Sequence, residues 1–379
     1  MSFQLSDEQR AVRDVVREFG ENEIRPVARE HDEEKKYPHE LVQKAATYDL
    51  VAPGIPEEYG GAGMDMLTEA VVTEELWRAD AGIGSAIGSR GFGTSMIRKF
   101  GDEWMREEWL PKVAAGDAAT CSCISEPAHG SNVAGIETRA ERDGDDYVLN
   151  GTKMWITNGT VADVAVVMAK TSPDAGHRGI TAFLVPTDAD GFSATKIDNK
   201  LGIRASDLAE VVLDDVRVPA ENVIGAVDEG FYQLMNFFAD GRTSVAAQAV
   251  GVAQAAVDAA AEYANEREQG GQKIAEYQAI RHKIADMATD VEAARSLVYR
   301  AATHVENGDD DTAARFASMA KLFASERAVE VADEGIQVHG GAGFVTDHPA
   351  ERFYRDARIT KIYEGTSEIQ KNIIADRVL

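Results

Sequence analysis

Cysteine and lysine are scarce in this chain, and each scarcity excludes something. The only cysteines in 379 residues are Cys121 and Cys123. Two apart on one strand face, they are too strained a pair for a disulfide, and no Cys or His cluster has ligand spacing, so no structural metal is expected. No apolar run reaches the roughly 18 residues of a membrane span. No basic and apolar leader precedes the first amphipathic stretch and no lipidation signal stands at either end, so a cytoplasmic location is expected. Lysine supplies 14 of the 39 basic residues against 65 acidic ones, leaving a net charge of -26. The acids are spread through every region, as in Asp32-Glu33-Glu34, Glu107-Glu108, Asp145-Asp146 and Asp309-Asp310-Asp311. Such a field repels nucleic acid and anionic membranes, and high salt would screen it. It argues for a salt-adapted (halophilic) source, the alternative being an acidic but ordinary cytosolic protein.

What is present is a chain long enough for two or three cores. From Asp7 to about Ala115 the pattern is helical: Val12, Val15, Val16 and Phe19 repeat at helical spacing, as do Leu67, Val71, Val72 and Leu76. Pro53 to Gly63 interrupts it as a long loop. Between about Ala119 and Gly225 short β-rich runs take over. Tyr147-Val148-Leu149 and Met154-Trp155-Ile156 flank Asn150-Gly151, a hairpin signal, and Val164–Met168, Thr181–Val185 and Val211–Val218 read as further strands. After Gly230 come three long helical segments, Phe231 to Arg267, Tyr277 to Asn307 and Thr312 to Val338, with alanine-rich faces suited to a bundle. The order argues for an α+β fold with a β domain between two helical ones: 1–118, 119–226 and 227–379. No Gly-x-Gly-x-x-Gly opens a helix after a strand, so a Rossmann unit is absent. The glycines at 82, 84, 88, 91 and 93 read as packing or channel residues.

The segment Ile362-Tyr363-Glu364-Gly365-Thr366-Ser367-Glu368-Ile369-Gln370 sets a carboxylate beside apolar residues rather than in a charge run. Burial would raise its pKa towards neutrality and make it a usable general base. Gly365 permits close backbone approach, and Thr366 is a good N-cap for an amphipathic helix from Ser367 to Val378. That helix N-terminus could face a phosphate or a polyol. Taken alone, the more ordinary reading is a capped C-terminal helix after an unremarkable glutamate.

The rest of the chain reverses that preference. With Leu5-Ser6-Asp7-Glu8-Gln9, Pro56-Glu57-Glu58-Tyr59-Gly60-Gly61-Ala62-Gly63, Ser125-Glu126-Pro127, Gly130-Ser131, Met154-Trp155-Ile156-Thr157-Asn158-Gly159, Asp215-Val216-Arg217-Val218-Pro219, Gly241-Arg242, Glu266-Arg267 and Gln337-Val338-His339-Gly340-Gly341 in order, the sequence closely resembles the acyl-CoA dehydrogenase family over nearly its whole length. The resemblance implies an N-terminal helical domain, a middle β-barrel and a C-terminal four-helix bundle. It also implies paired subunits that share flavin sites, and a homotetramer built as a dimer of dimers. The implied activity is FAD-dependent α,β-dehydrogenation of an acyl-CoA thioester, with electrons passed to an electron-transfer flavoprotein. A base must take the α proton, donors must stabilise charge on the thioester oxygen, and only a cofactor can accept hydride.

Carried onto matching positions, the resemblance makes Glu364 the base, its own N–H one of the donors to the thioester carbonyl. Ile124, Ser125, Ser131, Trp155 and Thr157 contact the flavin, with Ser131 also lining the thioester. Arg267, Gln278, Gln337, Gly340, Gly341, Thr366 and Glu368 hold the diphosphate and adenosine, several of them across a subunit interface. Phe238, Arg242, Tyr363 and Gly365 join Ser131 in binding substrate. Some relatives carry the base at the position of Gly241, which cannot act here. Read from the residues alone, Trp155 is more readily a core residue and Arg267 a solvated helix end, while Ser125 and Ser131 are equally turn residues and Arg242 equally half of a buried ion pair.

The chain departs from the family pattern at Glu268-Gln269-Gly270-Gly271, where an aromatic is usual, and at Ser125, Asn132, Ala239 and His339. Alternatives are an acyl-CoA oxidase, a glutaryl-type enzyme with Arg90 as candidate cation for a distal carboxylate, and a flavin-free acyl-CoA-binding paralogue.

Overall fold

In the computed structural model, which describes residues 5–308 and 310–379, the chain runs helices, strands, helices. Asp309 of the acidic run noted above lies outside the described residues, as does the side chain of Asp310. The first part carries α1 (Asp7–Phe19), α2 (Ala28–Glu34), α3 (His39–Ala46), α4 (Met66–Ala79), α5 (Ala81–Gly88), α6 (Thr94–Phe100) and α7 (Glu103–Ala114). Side chains finish these helices where backbone donors run out. Ser6 and Gln9 form a reciprocal capping box, Gln9 N donating to Ser6 Oγ at 3.1 Å and Ser6 N to Gln9 Oε1 at 3.0 Å. Asp65 accepts from Thr68 N at 2.7 Å to start α4, and Asp80 from Ile83 N at 2.9 Å to start α5. The stretch from Pro53 to Gly63 is a loop with one 3-10 turn at Glu57–Tyr59.

The middle part is a curled seven-stranded sheet of β1 (Thr120–Cys123), β2 (Arg139–Asp143), β3 (Asp146–Thr157), β4 (Val164–Lys170), β5 (Ile180–Pro186), β6 (Phe192–Lys196) and β7 (Leu208–Pro219). Its order is β1-β4-β2-β3-β7-β6, with β5 also paired to β4. Cys121 and Cys123 are free and buried, their sulfurs 3.9 Å apart. The expected hairpin at Asn150-Gly151 is not there. Those residues lie inside β3, where Asn150 exchanges hydrogen bonds with Asp215 of β7 (2.8 and 2.9 Å) at the first of two bulges; the β2–β3 turn is at Gly144-Asp145. A side-chain pair thus holds an irregular residue in the ladder that the Asn-Gly signal assigns to a turn.

The last part carries α8 (Gly230–Glu266), the two-residue strands β8 (Glu268–Gln269) and β9 (Gln272–Lys273), α9 (Gln278–Glu306), α10 (Asp310–His339), α11 (Ala350–Ala357) and α12 (Ser367–Val378). Helix α10 packs against α8, α9, α11 and α12, and small side chains allow the close approach, among them Ala246, Ala249, Ala253, Ala256 and Ala260 of α8. This core takes in Ala70 and Trp77 of α4, while another joins Met96 and Ile97 of α6, Val166 and Leu184 of the sheet, and Leu234 and Phe237 of α8. The three regions therefore share walls. A cavity opens where α4, α5, α6, α8 and the segment before α12 meet.

Candidate active site

The cavity, about 200 Å³, is lined by Gly88, Phe92 and Gly93 from the α5–α6 region, Thr157 from the end of β3, Gly241 and Ser244 from α8, and Tyr363 and Glu364. Glu364 has φ of +51°, in the left-handed region that a residue with a side chain enters only when its surroundings enforce it. Those surroundings are identifiable. Lys321 of α10, fully buried, donates from Nζ to the Gly365 carbonyl at 2.7 Å, and Gln370 Nε2 donates to the Gly365 and Glu364 carbonyls at 2.8 and 3.2 Å. Thr366 accepts from Ile369 N at 3.4 Å, so the N-cap read from the sequence is formed.

The bend turns the Glu364 carboxyl into the cavity, where Oε2 is buried without a hydrogen-bond partner. Burial pushes its pKa up to about 7, with the nearby charges of Arg242 and Lys321 pulling the other way. Its backbone N–H makes no hydrogen bond among the described residues. Gly241 faces it so closely that an added Cβ would lie 2.9 Å from Oε2. A carboxylate near neutrality beside a free amide can take a proton from a carbon while the amide stabilises charge on an adjacent carbonyl oxygen.

Arg242 is buried, its guanidinium 5.7 Å from the centre of the Phe238 ring and its Nε without a partner. Burial lowers its pKa to about 10, against the pull of Glu364. No carboxylate pairs with it directly among the described residues, so the buried ion pair admitted by the sequence is not made. Tyr363 donates its hydroxyl to Gln248 Oε1 of α8, which ties the segment carrying Glu364 to that helix.

Thr157 of the cavity wall ends a strand that is anchored by a buried pair. Lys153 Nζ reaches Glu126 Oε1 at 2.9 Å and the Ile124 carbonyl at 3.2 Å, and Glu126 also accepts from Glu137 N, Thr138 N and Thr138 Oγ1 at 2.6, 2.9 and 2.6 Å. Two ends of the loop between β1 and β2 are thereby pinned to β3, and Met154 N bonds Ser125 O at 2.9 Å. Here lies the second β3 bulge: Trp155 has φ of +65° and stands 60 % exposed rather than in the core. A large indole held out of the core is a surface for a planar group. Thr157, two residues on, lines the cavity.

The residues expected at the site fall into two groups. On the cavity side, Thr157, Gly241, Tyr363 and Glu364 line the cavity and Phe238, Arg242 and Gly365 adjoin lining residues, while Ile124, Ser125 and Trp155 lie where the β1–β2 loop meets β3, Thr366 and Glu368 at the start of α12, and Ser131 exposed on the β1–β2 loop. Arg267, Gln278, Gln337, Gly340 and Gly341 gather at the other end of the bundle, where Tyr263 stacks on His339 at 4.5 Å. Along α10, Lys321 and Gln337 are separated by roughly 24 Å at about 1.5 Å per residue.

Lys321, Lys153, Glu126, Gln248 and Gln370 escape a reading of the sequence for chemistry. The available signal is a lone lysine in an apolar stretch of a lysine-poor chain: Met319-Ala320-Lys321-Leu322-Phe323 and, more weakly, Lys153 before Met154-Trp155. Arg90, the candidate cation for a distal carboxylate, is buried away from the cavity and donates to the Gly116 carbonyl at 3.3 Å; the cavity-lining arginine is Arg98.

Comparison with known proteins gives the same answer over the whole length. The N-terminal, middle and C-terminal domain models of acyl-CoA dehydrogenases match residues 6–117, 121–216 and 228–379. The mitochondrial short-chain specific acyl-CoA dehydrogenase of Mus musculus is 41% identical over 379 residues, covering 100% of this chain and 92% of its own. Butyryl-CoA dehydrogenase from Megasphaera elsdenii superposes with a TM-score of 0.95 at 37% identity, covering 100% of each chain. A chain solved in work on the electron transferring flavoprotein of Acidaminococcus fermentans superposes with a TM-score of 0.96 at 38% identity, again covering 100% of each.

Proposed function

The chain belongs to the acyl-CoA dehydrogenase family, FAD-dependent oxidoreductases acting on a carbon–carbon single bond, and on that footing we propose that it converts a short-chain acyl-CoA to the trans-2-enoyl-CoA with Glu364 as the base. The observation that carries the reading is the unpartnered Glu364 carboxyl, turned into the cavity by a left-handed backbone and raised to about 7 by burial. Glu364 takes the pro-chiral α proton onto its carboxylate. Its own N–H stands ready for the thioester oxygen, while Lys321 and Gln370 keep the 364–365 peptides from turning away. Closure of the acyl chain against the apolar walls excludes water and strengthens that hydrogen bond. Bound FAD supplies the acceptor for the β hydride.

To the flavin ring we assign the protruding Trp155 indole, Thr157, Ile124, Ser125 and Ser131, a reading supported by the exposure of the indole and by Thr157 in the cavity wall. Arg267, Gln278, Gln337, Gly340 and Gly341 lie at the other end of the bundle from Glu364. That separation accords with a second subunit supplying them to the adenosine end of the flavin, and the dimer of dimers is carried over from the family. An electron-transfer flavoprotein as acceptor is supported by the relative solved in work on such a protein. A cytoplasmic, halophilic setting accords with the charge of -26. No helix among the described residues is long and apolar enough to cross a membrane. The division at 118/119 and 226/227 follows the change from helix to strand and back.

The test is anaerobic titration of the purified yellow protein with straight-chain, branched and dicarboxylic acyl-CoAs. Bleaching of the flavin by short straight chains is expected. A flavin left oxidised by every thioester would overturn the reading.

A further inference from the structure

One wall of the cavity is polar without serving the chemistry at Glu364. Glu69 of α4 and Arg98 of α6 both line it and meet on one peptide of the loop that begins at Pro53. An added Cβ on Gly54 would lie 2.2 Å from Glu69 Oε1, and Arg98 Nη1 donates to the Gly54 carbonyl. Yet no hydrogen bond or ion pair joins Glu69 to Arg98, and the Glu69 carboxyl makes no hydrogen bond at all among the described residues. The neighbouring carboxylate, Asp240, is already paired with Lys99 at 2.7 Å. The other lining residues near this end, such as Ile55, Met66 and Ala52, are apolar.

An acceptor and a donor, close but not touching, facing a cavity that holds an acyl chain, define what belongs between them. We propose that Glu69 and Arg98 bind a neutral hydrogen-bonding group, a hydroxyl or a carboxamide, at the far end of a short acyl chain. The inference rests on the acyl-thioester reading above and names its substrate class. A distal carboxylate would satisfy Arg98 but crowd Glu69 and Asp240, and an ammonium would face Arg98. A group that both donates and accepts satisfies Glu69 and Arg98 together. A methyl in its place would leave both half-buried polar groups without a partner once the acyl chain displaces water, and sites built to bond a hydroxyl discriminate against analogues lacking it. Burial, which raises the Glu69 pKa to about 7, lets the carboxyl act as acceptor or donor near neutrality.

The experiment uses FAD-loaded Glu364→Gln protein, so that binding is read apart from turnover. Calorimetric titration compares 4-hydroxybutanoyl-CoA with pentanoyl-CoA, in which a methyl replaces the hydroxyl. The hydroxy compound is expected to bind at least about tenfold tighter, and adding Glu69→Leu should remove or invert that preference. Equal or tighter binding of pentanoyl-CoA by the Glu364→Gln protein, or a preference that survives Glu69→Leu, would overturn the inference while leaving the dehydrogenase reading intact. Failure of the Glu364→Gln protein to bind either thioester would overturn both. Should Glu69→Leu not fold, Glu69→Gln, which keeps size and an acceptor, is expected to retain most of the preference, and Arg98→Met to lose it.

Discussion

Glu364→Gln should make the protein more stable at pH 8 while abolishing flavin reduction. The carboxyl titrates at about 7 in the fold against 4.5 in the unfolded chain. A folded value above the unfolded one favours the neutral acid in the fold. The stabilising contribution is therefore complete below about 4.5 and is lost as pH rises through about 7. Linkage over that interval gives about 3 kcal/mol of strain at pH 8 and less than about 1 kcal/mol at pH 5. Because the carboxyl keeps some contact with cavity water, screening reduces the pH 8 figure to about 1.5–3 kcal/mol. For 379 residues, with an unfolding entropy of about 2.1 cal/mol/K each, that corresponds to about 2–4 °C in melting temperature. Glutamine keeps the shape and removes the charge, so differential scanning calorimetry at saturating FAD should show this gain at pH 8 and little at pH 5. Anaerobic mixing with butyryl-CoA should leave the variant's flavin oxidised. An equal gain at both pH values, or a loss at pH 8, would refute the claim that a desolvated, ionisable base is held here against its preference. Full bleaching by the variant would remove Glu364 from its role.

Gly241→Ala sets a methyl 2.9 Å from Oε2, closer than a carbon and an oxygen can pack, so the carboxyl must shift and flavin reduction in stopped-flow should slow by up to about 100-fold, the cost of a displacement near 1 Å, with FAD content retained. Lys153→Met strands Glu126, whose pKa is held below the ordinary range despite partial burial, and should lower stability by about 3–5 kcal/mol with loss of bound FAD. Size-exclusion chromatography with a flavin absorbance trace separates that outcome from simple unfolding. Raising KCl from 0.1 to 2 M should raise the melting temperature and the rate with acyl-CoA, since both the self-repulsion of a -26 chain and its repulsion of CoA are screened. Fold and activity unchanged without added salt would dispose of the salt adaptation.

The sequence by itself determined the order helices, strands, helices, because hydrophobic period is a local property. Thr312 to Val338 carries a helical period over its length, and the short apolar run Val164 to Met168 reads as a strand from its length and β-branched residues. It also determined the cap at Thr366, which acts within a few residues, while Glu364 became the base candidate only through the family motifs spread along the whole chain. Tertiary structure decided what no neighbouring residue could. Asn150-Gly151 becomes a bulge rather than a turn because Asp215, 65 positions away, completes its hydrogen bonds. Trp155 stands out of the core because the Lys153–Glu126 pair anchors the bulge beneath it. The Glu364 carboxyl is raised to near neutrality only because packing against α8, with Gly241 facing it, buries a group that its own segment merely supplies, against the opposing pull of Arg242 and Lys321. The physical reason is range. Periodicity and capping are settled over one or two helical turns, whereas desolvation and charge proximity depend on which distant surfaces the packed core forces together.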